Sequence, residues 1–203
     1  PGGTNWVSCT VDPERKRGIR NTSRVAFAIT LFERDAYDDT KDYPGVERAR
    51  QEGTPYLMHR EALLSPLGLP VSPPPWGTLA AISTVTGQVV WESTLGTVRD
   101  LAPVPIPVKW GTPNMGGPIV TRSGLTFISA TMDYYLRAFD TATGKELWKG
   151  RRPAGGQATP MTYRVDAAGK QYVVICAGGH GKMGTKLGDY VIAFALPDKP
   201  ADR

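Results

Sequence analysis

"TATGKELW", Thr141–Trp148, decides the fold, because the chain writes nearly the same thing earlier, as "TVTGQVVW" at Thr84–Trp91. The two tryptophans stand 57 residues apart. Ahead of each lies a short apolar run, giving "LRAFDTATGKELW" (Leu136–Trp148) and "LAAISTVTGQVVW" (Leu79–Trp91). In the later copy the strand Leu136–Phe139 stops at Asp140, whose carboxylate can cap the turn. Gly144 supplies the positive φ a tight hairpin needs, and Lys145–Trp148 returns. In the earlier copy Ser83 stands for Asp140 and Gly87 for Gly144. A tryptophan at a fixed place in each hairpin carries a large apolar body and an N–H that needs a partner when buried. That suits docking of Trp91 and Trp148 on neighbouring sheets; the plain alternative is two unrelated hairpins with core tryptophans. A third beginning, "GDYVIAFALPD" (Gly188–Asp198), puts Ala193 55 residues after Ala138.

From Thr78 onward the pattern is regular. The runs "TLAAIS", "QVVWEST", "LTFISAT", "YYLRAFD", "KELWKGR", "QATPMTYRV", "KQYVVICAG" and "DYVIAFAL" are short, β-rich and bounded by Gly, Pro, Asp or Thr. They predict consecutive antiparallel strands rather than βαβ units. A period in this range with about four strands each predicts the blades of an all-β propeller. Fewer than four such periods fit into 203 residues, whereas propellers close with about 4–8 blades. An open arc is therefore expected. Before Thr78 the reading is looser. Residues 1–32 hold two strand-like runs around an Asp12–Gly18 turn, the second being "RVAFAITLF" (Arg24–Phe32). Residues 33–77 are expected to be an irregular surface insertion with one short helix, since "SPLGLPVSPPPWG" (Ser65–Gly77) cannot join a sheet interior.

Composition narrows the function classes. Hydrophobic residues are 40% of the chain, enough for a core, and 23 Gly and 18 Pro favour strands and turns over long helices. The net charge is +5, with signs interspersed, so nucleic acid is not an expected partner. The densest basic run, Arg15, Lys16, Arg17 and Arg20, reads as a solvated turn between strands. Cys9 and Cys176 show neither metal spacing nor a CxxC pair, and a disulfide between them stays open. No apolar run approaches the ~20 residues that span a bilayer. The chain opens at Pro1 rather than Met, and it is expected to be part of a longer protein.

The phrase "AxDxxTGKxxW" resembles the tryptophan-docking motif of the quinoprotein dehydrogenases, eight-bladed propellers that bind pyrroloquinoline quinone (PQQ). Longer stretches look like one branch: "GGTNW" (Gly2–Trp6), "PPPWGTLAAI" (Pro73–Ile82), "WESTLGTVRD" (Trp91–Asp100), Trp110–Tyr163 and Gly169–Asp198. That branch holds the membrane-bound glucose dehydrogenases and the similar quinate/shikimate dehydrogenases. The resemblance implies that residues 1–203 are C-terminal propeller blades carrying the insertion at 33–77. It also implies a parent enzyme on the periplasmic side of the bacterial inner membrane, with its anchor outside this chain. Such an enzyme oxidises a sugar or cyclitol hydroxyl, glucose first and quinate or shikimate next, by hydride transfer to PQQ. Electrons then pass to ubiquinone, and Ca2+ or Mg2+ polarises a cofactor carbonyl. The general base and the metal ligands are expected upstream, so the piece alone should be silent, without a metal site of its own. Its structural partners are the remaining blades of the parent.

Three residues are singled out by the resemblance. Asn5 in "GGTNW" matches the amide that hydrogen-bonds the cofactor's quinone oxygens; an amide donates to an oxygen gaining charge without adding a titrating group. The plain alternative is a cap on the turn after Gly3. Trp6 lines the same pocket or docks between blades. His180, in the glycine-rich "GGHGKMG" after a strand, matches a family histidine near the sugar, with an exposed loop histidine as the alternative. Trp110 reaches the cofactor pocket or packs between blades, and His59 is expected at the surface. "GHGKMG" (Gly179–Gly184) satisfies GxGxxG, yet a turn and a strand follow it rather than a helix, so dinucleotide binding is rejected. A non-catalytic propeller scaffold that binds other proteins is the competing reading; it would need only the repeat, not the setting of Asn5.

Overall fold

In the computed structural model, which describes the chain apart from residues 1, 2, 6, 8, 39, 40, 42–44, 102–104 and 198–203, strands follow one another closely. In chain order they are β1 (Cys9–Asp12), β2 (Arg17–Ser23), β3 (Phe27–Glu33), β4 (Glu47–Arg50), β5 (Tyr56–Ala62), β6 (Gly77–Ser83) and β7 (Val89–Thr94). Then come β8 (Ile119–Val120), β9 (Leu125–Ile128), β10 (Tyr135–Asp140), β11 (Glu146–Arg151), β12 (Met161–Tyr163), β13 (Tyr172–Ala177) and β14 (Tyr190–Ala195). They form antiparallel sheets ordered β1-β2-β6-β7, β8-β9-β10-β11, β12-β13-β14 and β3-β5-β4. The first three are blades of the propeller arc.

The sequence repeat is also a repeat of register. Ala81 faces Trp91 and Ala138 faces Trp148, and the ladder slips just after each, at Ala81/Ile82 and at Ala138/Phe139. The turns match in chemistry as well. Asp140 Oδ1 accepts from the Thr143 backbone N–H and hydroxyl, both at 2.8 Å, while Ser83 Oγ accepts from the N–H groups of Val85 and Thr86. Trp91 then reaches across to the next blade. Its Nε1–H donates to the Thr141 carbonyl at 3.0 Å, and its ring lies so close over Gly144 that a Cβ there would come within 2.5 Å of it. Trp148 meets Phe194 edge-on at 5.2 Å and stays 41% exposed.

Burial follows the blade faces. Ile19, Leu79, Ala81 and Leu95 of the first blade pack against Ile128, Ala130 and Phe139 of the second. Leu136, Val173 and Ile175 carry the core on to the third, joined by Phe127, Ile192 and Phe194. The central strand β6 is covered on both faces, which is why it reads "TLAAI" without alternation.

Three expectations about the chain before Thr78 are corrected. The strand across the Asp12 turn is β2, Arg17–Ser23, and Phe27–Glu33 belongs to a different sheet. Asp12 in that turn is buried, bonded to Arg15, which also reaches the Arg122 carbonyl of the next blade. The stretch 33–77, expected to be irregular, contains β4 and β5, which complete a sheet with β3 between β2 and β6. Among the described residues, 34–46 hold the short 3-10 turn Arg34–Ala36 and no strand, and the Pro-rich end after Ala62 has only a bridge between Leu64 and Pro70. Its alternation was disguised because an inward position is polar: Leu57 is buried and so is His59, whose Nε2 pairs with the Tyr37 hydroxyl at 2.6 Å. His59, expected at the surface, packs between Phe32 and Tyr37.

Antiparallel pairing sends the connections alternately to two edges, and the eight-residue stretch 164–171 joins the tight turns on theirs. Tight turns at Pro13–Lys16, Thr84–Gln88, Thr121–Gly124 and Thr141–Lys145 lie along one edge of the blades. The long connections, around 24–76, 95–118, 129–134, 152–160 and 178–189, leave from the other edge, where the segment entering β1 also lies. Function-bearing loops are expected on that edge.

Candidate functional site

The long connections are sewn together by backbone hydrogen bonds. Gly3 and Ser23 exchange a pair at 2.8 and 3.0 Å. The Met115 N–H donates to Ala130, the Ala130 N–H to Gly156, and the Gly179 N–H to Gly155. Side chains reinforce the seam: the Ser23 hydroxyl accepts from the Asn114 N–H, and Asn21 Nδ2 donates to Asn114 Oδ1 at 2.7 Å. The segment of Asn5 is thereby tied, blade by blade, to the loop of His180.

Against this seam lies a cavity of about 520 Å3, lined by Asn5, Asn114 and Met132 on the blade side. Lys182 and Met183 enter from the last blade, and Glu47 and Arg60 from the inserted sheet. Its size falls within the range of small-molecule sites. Asn5 is thus placed at the cavity, and Trp6 lies outside the described residues. His180 itself does not line it. Its extended backbone leads into the short 3-10 turn Gly181–Met183, which carries Lys182 and Met183 to the wall. The His180 N–H donates to Thr185 Oγ1 at 2.9 Å, while the ring Nδ1 is buried with no hydrogen-bond partner among the described residues. Trp110 stacks edge-on against the buried Trp76 at 5.8 Å, away from the cavity lining.

Two charge clusters shape the electrostatics, and the sequence announced neither. At the cavity, Glu47 Oε2 accepts from Arg60 and Oε1 accepts from Lys182 at 3.1 Å. Hydrogen bonds from Arg60 and Lys182 hold the Glu47 carboxyl below the usual glutamate range, outweighing burial. Arg60 also lies over the Phe27 ring, and its Nε has no partner among the described residues. Beneath the loops, Asp133 is fully buried and accepts from Thr97, Thr131 and Arg137. Burial alone would raise its pKa; the charge and hydrogen bonds of Arg137 and the two threonines overcome that and lower it. Arg152 is buried beside this pair, and desolvation pushes it down to about 10. The network continues outward, since Gln157 Nε2 donates to the Thr131 carbonyl and Thr185 Oγ1 donates to Gln157 Oε1. Cys9 and Cys176 are both free and exposed.

The charge of the described cavity lining suits a ligand that bears carboxylates. Asn5 supplies a neutral amide, and two cations face a single carboxylate of the chain. Among the described residues no group of three or more His, Cys, Asp or Glu converges as a metal site.

A family model described as "PQQ: Glucose/ethanol/alcohol dehydrogenase, beta-propeller domain" matches residues 1–173. Quinoprotein glucose dehydrogenase A of Acinetobacter calcoaceticus is 46% identical over 203 residues, covering 97% of this chain and 25% of that protein. Probable quinate dehydrogenase (quinone) of Xanthomonas campestris pv. juglandis is 43% identical, covering 97% of this chain and 26% of its own length. The chain therefore spans about a quarter of the curated relatives it matches. In fold it resembles the quinohemoprotein alcohol dehydrogenase of Comamonas testosteroni, with a TM-score of 0.58 over 99% of this chain and 28% of that one, at 22% identity.

Proposed function

The chain belongs to the PQQ-dependent glucose/ethanol/alcohol dehydrogenase β-propeller family, and from that membership we propose that it is one section of a quinoprotein oxidoreductase that takes a hydride from a sugar or cyclitol hydroxyl. The observation that carries this reading is the placing of Asn5 at the wall of a ligand-sized cavity, on the edge where the long connections of all three blades converge. When bound, PQQ would supply the two-electron acceptor for the hydride.

Asn5 acts on the acceptor side. Its amide is a neutral donor, so it can stabilise an oxygen that becomes more negative during reduction and remain unaffected by pH. Tying Gly3 to Ser23 and Ser23 to Asn114 keeps that amide in place without an energy cost at the moment of reaction. Trp6, next in sequence, is proposed to cover the same pocket. His180 is proposed to act from the substrate side, its half-buried imidazole preceding the turn that carries Lys182 and Met183 to the cavity wall. The general base and the Ca2+ or Mg2+ ligands are proposed to come from other blades of the same protein, and the 203 residues alone to give no turnover. Glucose is the first substrate to test, quinate or shikimate the next; ubiquinone is the proposed electron acceptor. The proposed setting is the periplasmic face of the inner membrane; no helix among the described residues is long and apolar enough to cross it.

The test is a titration of PQQ into the full-length protein that carries this chain, followed by tryptophan fluorescence. Saturable quenching, weakened about tenfold or more by Asn5→Ala, is the expected result. Absence of quenching would leave a non-catalytic scaffold as the better account.

A further inference from the structure

We propose that Arg60 and Lys182 form an anion subsite of the cavity, one that takes a carboxylate group of the bound molecules. The proposal rests on the dehydrogenase reading above and adds to it which groups receive a negative charge. The two cations come from places far apart in sequence: Arg60 from β5 of the inserted sheet, Lys182 from the turn after His180. Only the fold brings them to one wall, and Glu47 joins them, one carboxylate oxygen to each.

Counting donors shows why that wall is unfinished. Among the described residues Glu47 is the one carboxylate in the cavity lining, against two cations, so that wall carries a net positive charge. Lys182 has an ammonium with three N–H groups and spends one on Glu47; its side chain is 72% exposed, so the others face outward or into the cavity. Arg60 has five N–H groups, and its Nε–H is buried without a partner among the described residues. That Nε–H has no accessible surface, so a second carboxylate would be taken by the terminal Nη donors not spent on Glu47, since arginine pairs with carboxylates through parallel N–H bonds. The Arg60 guanidinium lies over the Phe27 ring, 5.7 Å from its centroid, a cation–π contact that favours its place at the wall. A neutral polyol can accept from these donors too, yet it leaves the excess charge unbalanced. Glu47 plays the opposite part: it occupies both cations in the absence of ligand and competes with an incoming anion.

The carboxylate can belong to PQQ or to a hydroxy-acid substrate such as a cyclitol carboxylate, and the experiment separates the two. In the full-length protein, PQQ affinity is read from tryptophan quenching, and KM is measured for quinate and for glucose. Arg60→Gln and Lys182→Gln remove the charge and keep the length; Glu47→Gln removes the competitor. If the cofactor uses the subsite, the Gln variants at 60 and 182 weaken PQQ binding about tenfold and leave the ratio of quinate to glucose KM unchanged. If the substrate uses it, the quinate KM rises about tenfold, the glucose KM stays, and PQQ affinity is untouched. In either case Glu47→Gln tightens the same step, which a purely structural ion pair would not do. Unchanged PQQ affinity and unchanged KM values in both cation variants, or weakening by Glu47→Gln, would overturn the subsite while leaving the dehydrogenase reading intact. Failure of the unsubstituted protein to bind PQQ would remove both.

Discussion

Asp133 accepts two hydrogen bonds from Arg137 and others from Thr97 and Thr131, so Arg152, which enters the interior beside it, feels its charge without receiving a hydrogen bond from it. All three guanidinium nitrogens of Arg152 lack partners among the described residues. The two arginines therefore differ in kind, although both are buried. Arg137→Leu strands a buried carboxylate and should cost about 3–5 kcal/mol of stability. Arg152→Leu removes a buried cation with no hydrogen bonds and replaces it by apolar volume; it should leave stability unchanged or raise it by about 1 kcal/mol or more. Guanidinium unfolding midpoints of the two variants check this, and a loss in Arg152→Leu comparable to that in Arg137→Leu would show that Arg152 is paired. The sequence could not reveal the difference, because "GRRPAGG" gives Arg151 and Arg152 the same neighbours. The strand ladder separates them, sending Arg151 outward to Asp100 and Arg152 inward.

At the scale of elements, the hairpin repeat tells which blade surface is covered. Gly87 and Gly144 hold the same left-handed conformation, φ +73 and +72. Over Gly144 lies the Trp91 ring, whereas a Cβ on Gly87 would meet nothing within 4 Å. Gly87→Ala should therefore cost only the left-handed strain, about 1–2 kcal/mol. Gly144→Ala adds displacement of an indole and loss of its bond to Thr141, and should cost about 1–3 kcal/mol more. Equal costs in an unfolding titration would mean that Trp91 is not seated on that turn. These hairpins were legible because turn chemistry is local: a capping Asp or Ser, a glycine at the positive φ, a returning tryptophan. The strands around them were legible for the same reason, their ends being marked by Gly, Pro or Asp. The inserted sheet was not. Its inward positions include His59, and β4 reads "ERAR", so the charges that hide the alternation are the ones that pair across it. Nor did the sequence mark β8, two residues whose pairing is set by the neighbouring blade.

At the scale of the whole molecule, the candidate site is assembled from positions 5, 47, 60, 114, 132 and 182, which no spacing rule connects. Asn5 was readable because its setting "GGTNW" is a family phrase; Arg60 and Glu47 were not, because they sit in the part of the chain that the resemblance leaves out. The Glu47–Lys182 ion pair fastens the insertion to the last blade, and the fastening is sensitive to acid. Hydrogen bonds lower the Glu47 carboxyl, so the latch is fully formed above the usual glutamate range and fades as pH falls through its depressed value. Protection of the β5 amides, with the intrinsic pH dependence of exchange divided out, should therefore fall only in the acid range, and also at high salt, since Lys182 is exposed; protection indifferent to both would remove the latch. The far side of the arc carries a different liability. Two blades have four strands and the last has three among the described residues, leaving β14 at an edge with Val191 71% exposed and Trp148 nearby only partly covered. An open edge with apolar side chains is a template for pairing with another chain, and in the parent protein the remaining blades are proposed to cover it. The 203 residues prepared alone should then self-associate, seen as a scattering mass that rises with concentration. Val191→Lys places a charge on that edge, where it should oppose pairing without touching the core, and should shift the protein toward monomer. A monomer at every concentration before the substitution would mean that the edge is closed by residues of this same chain.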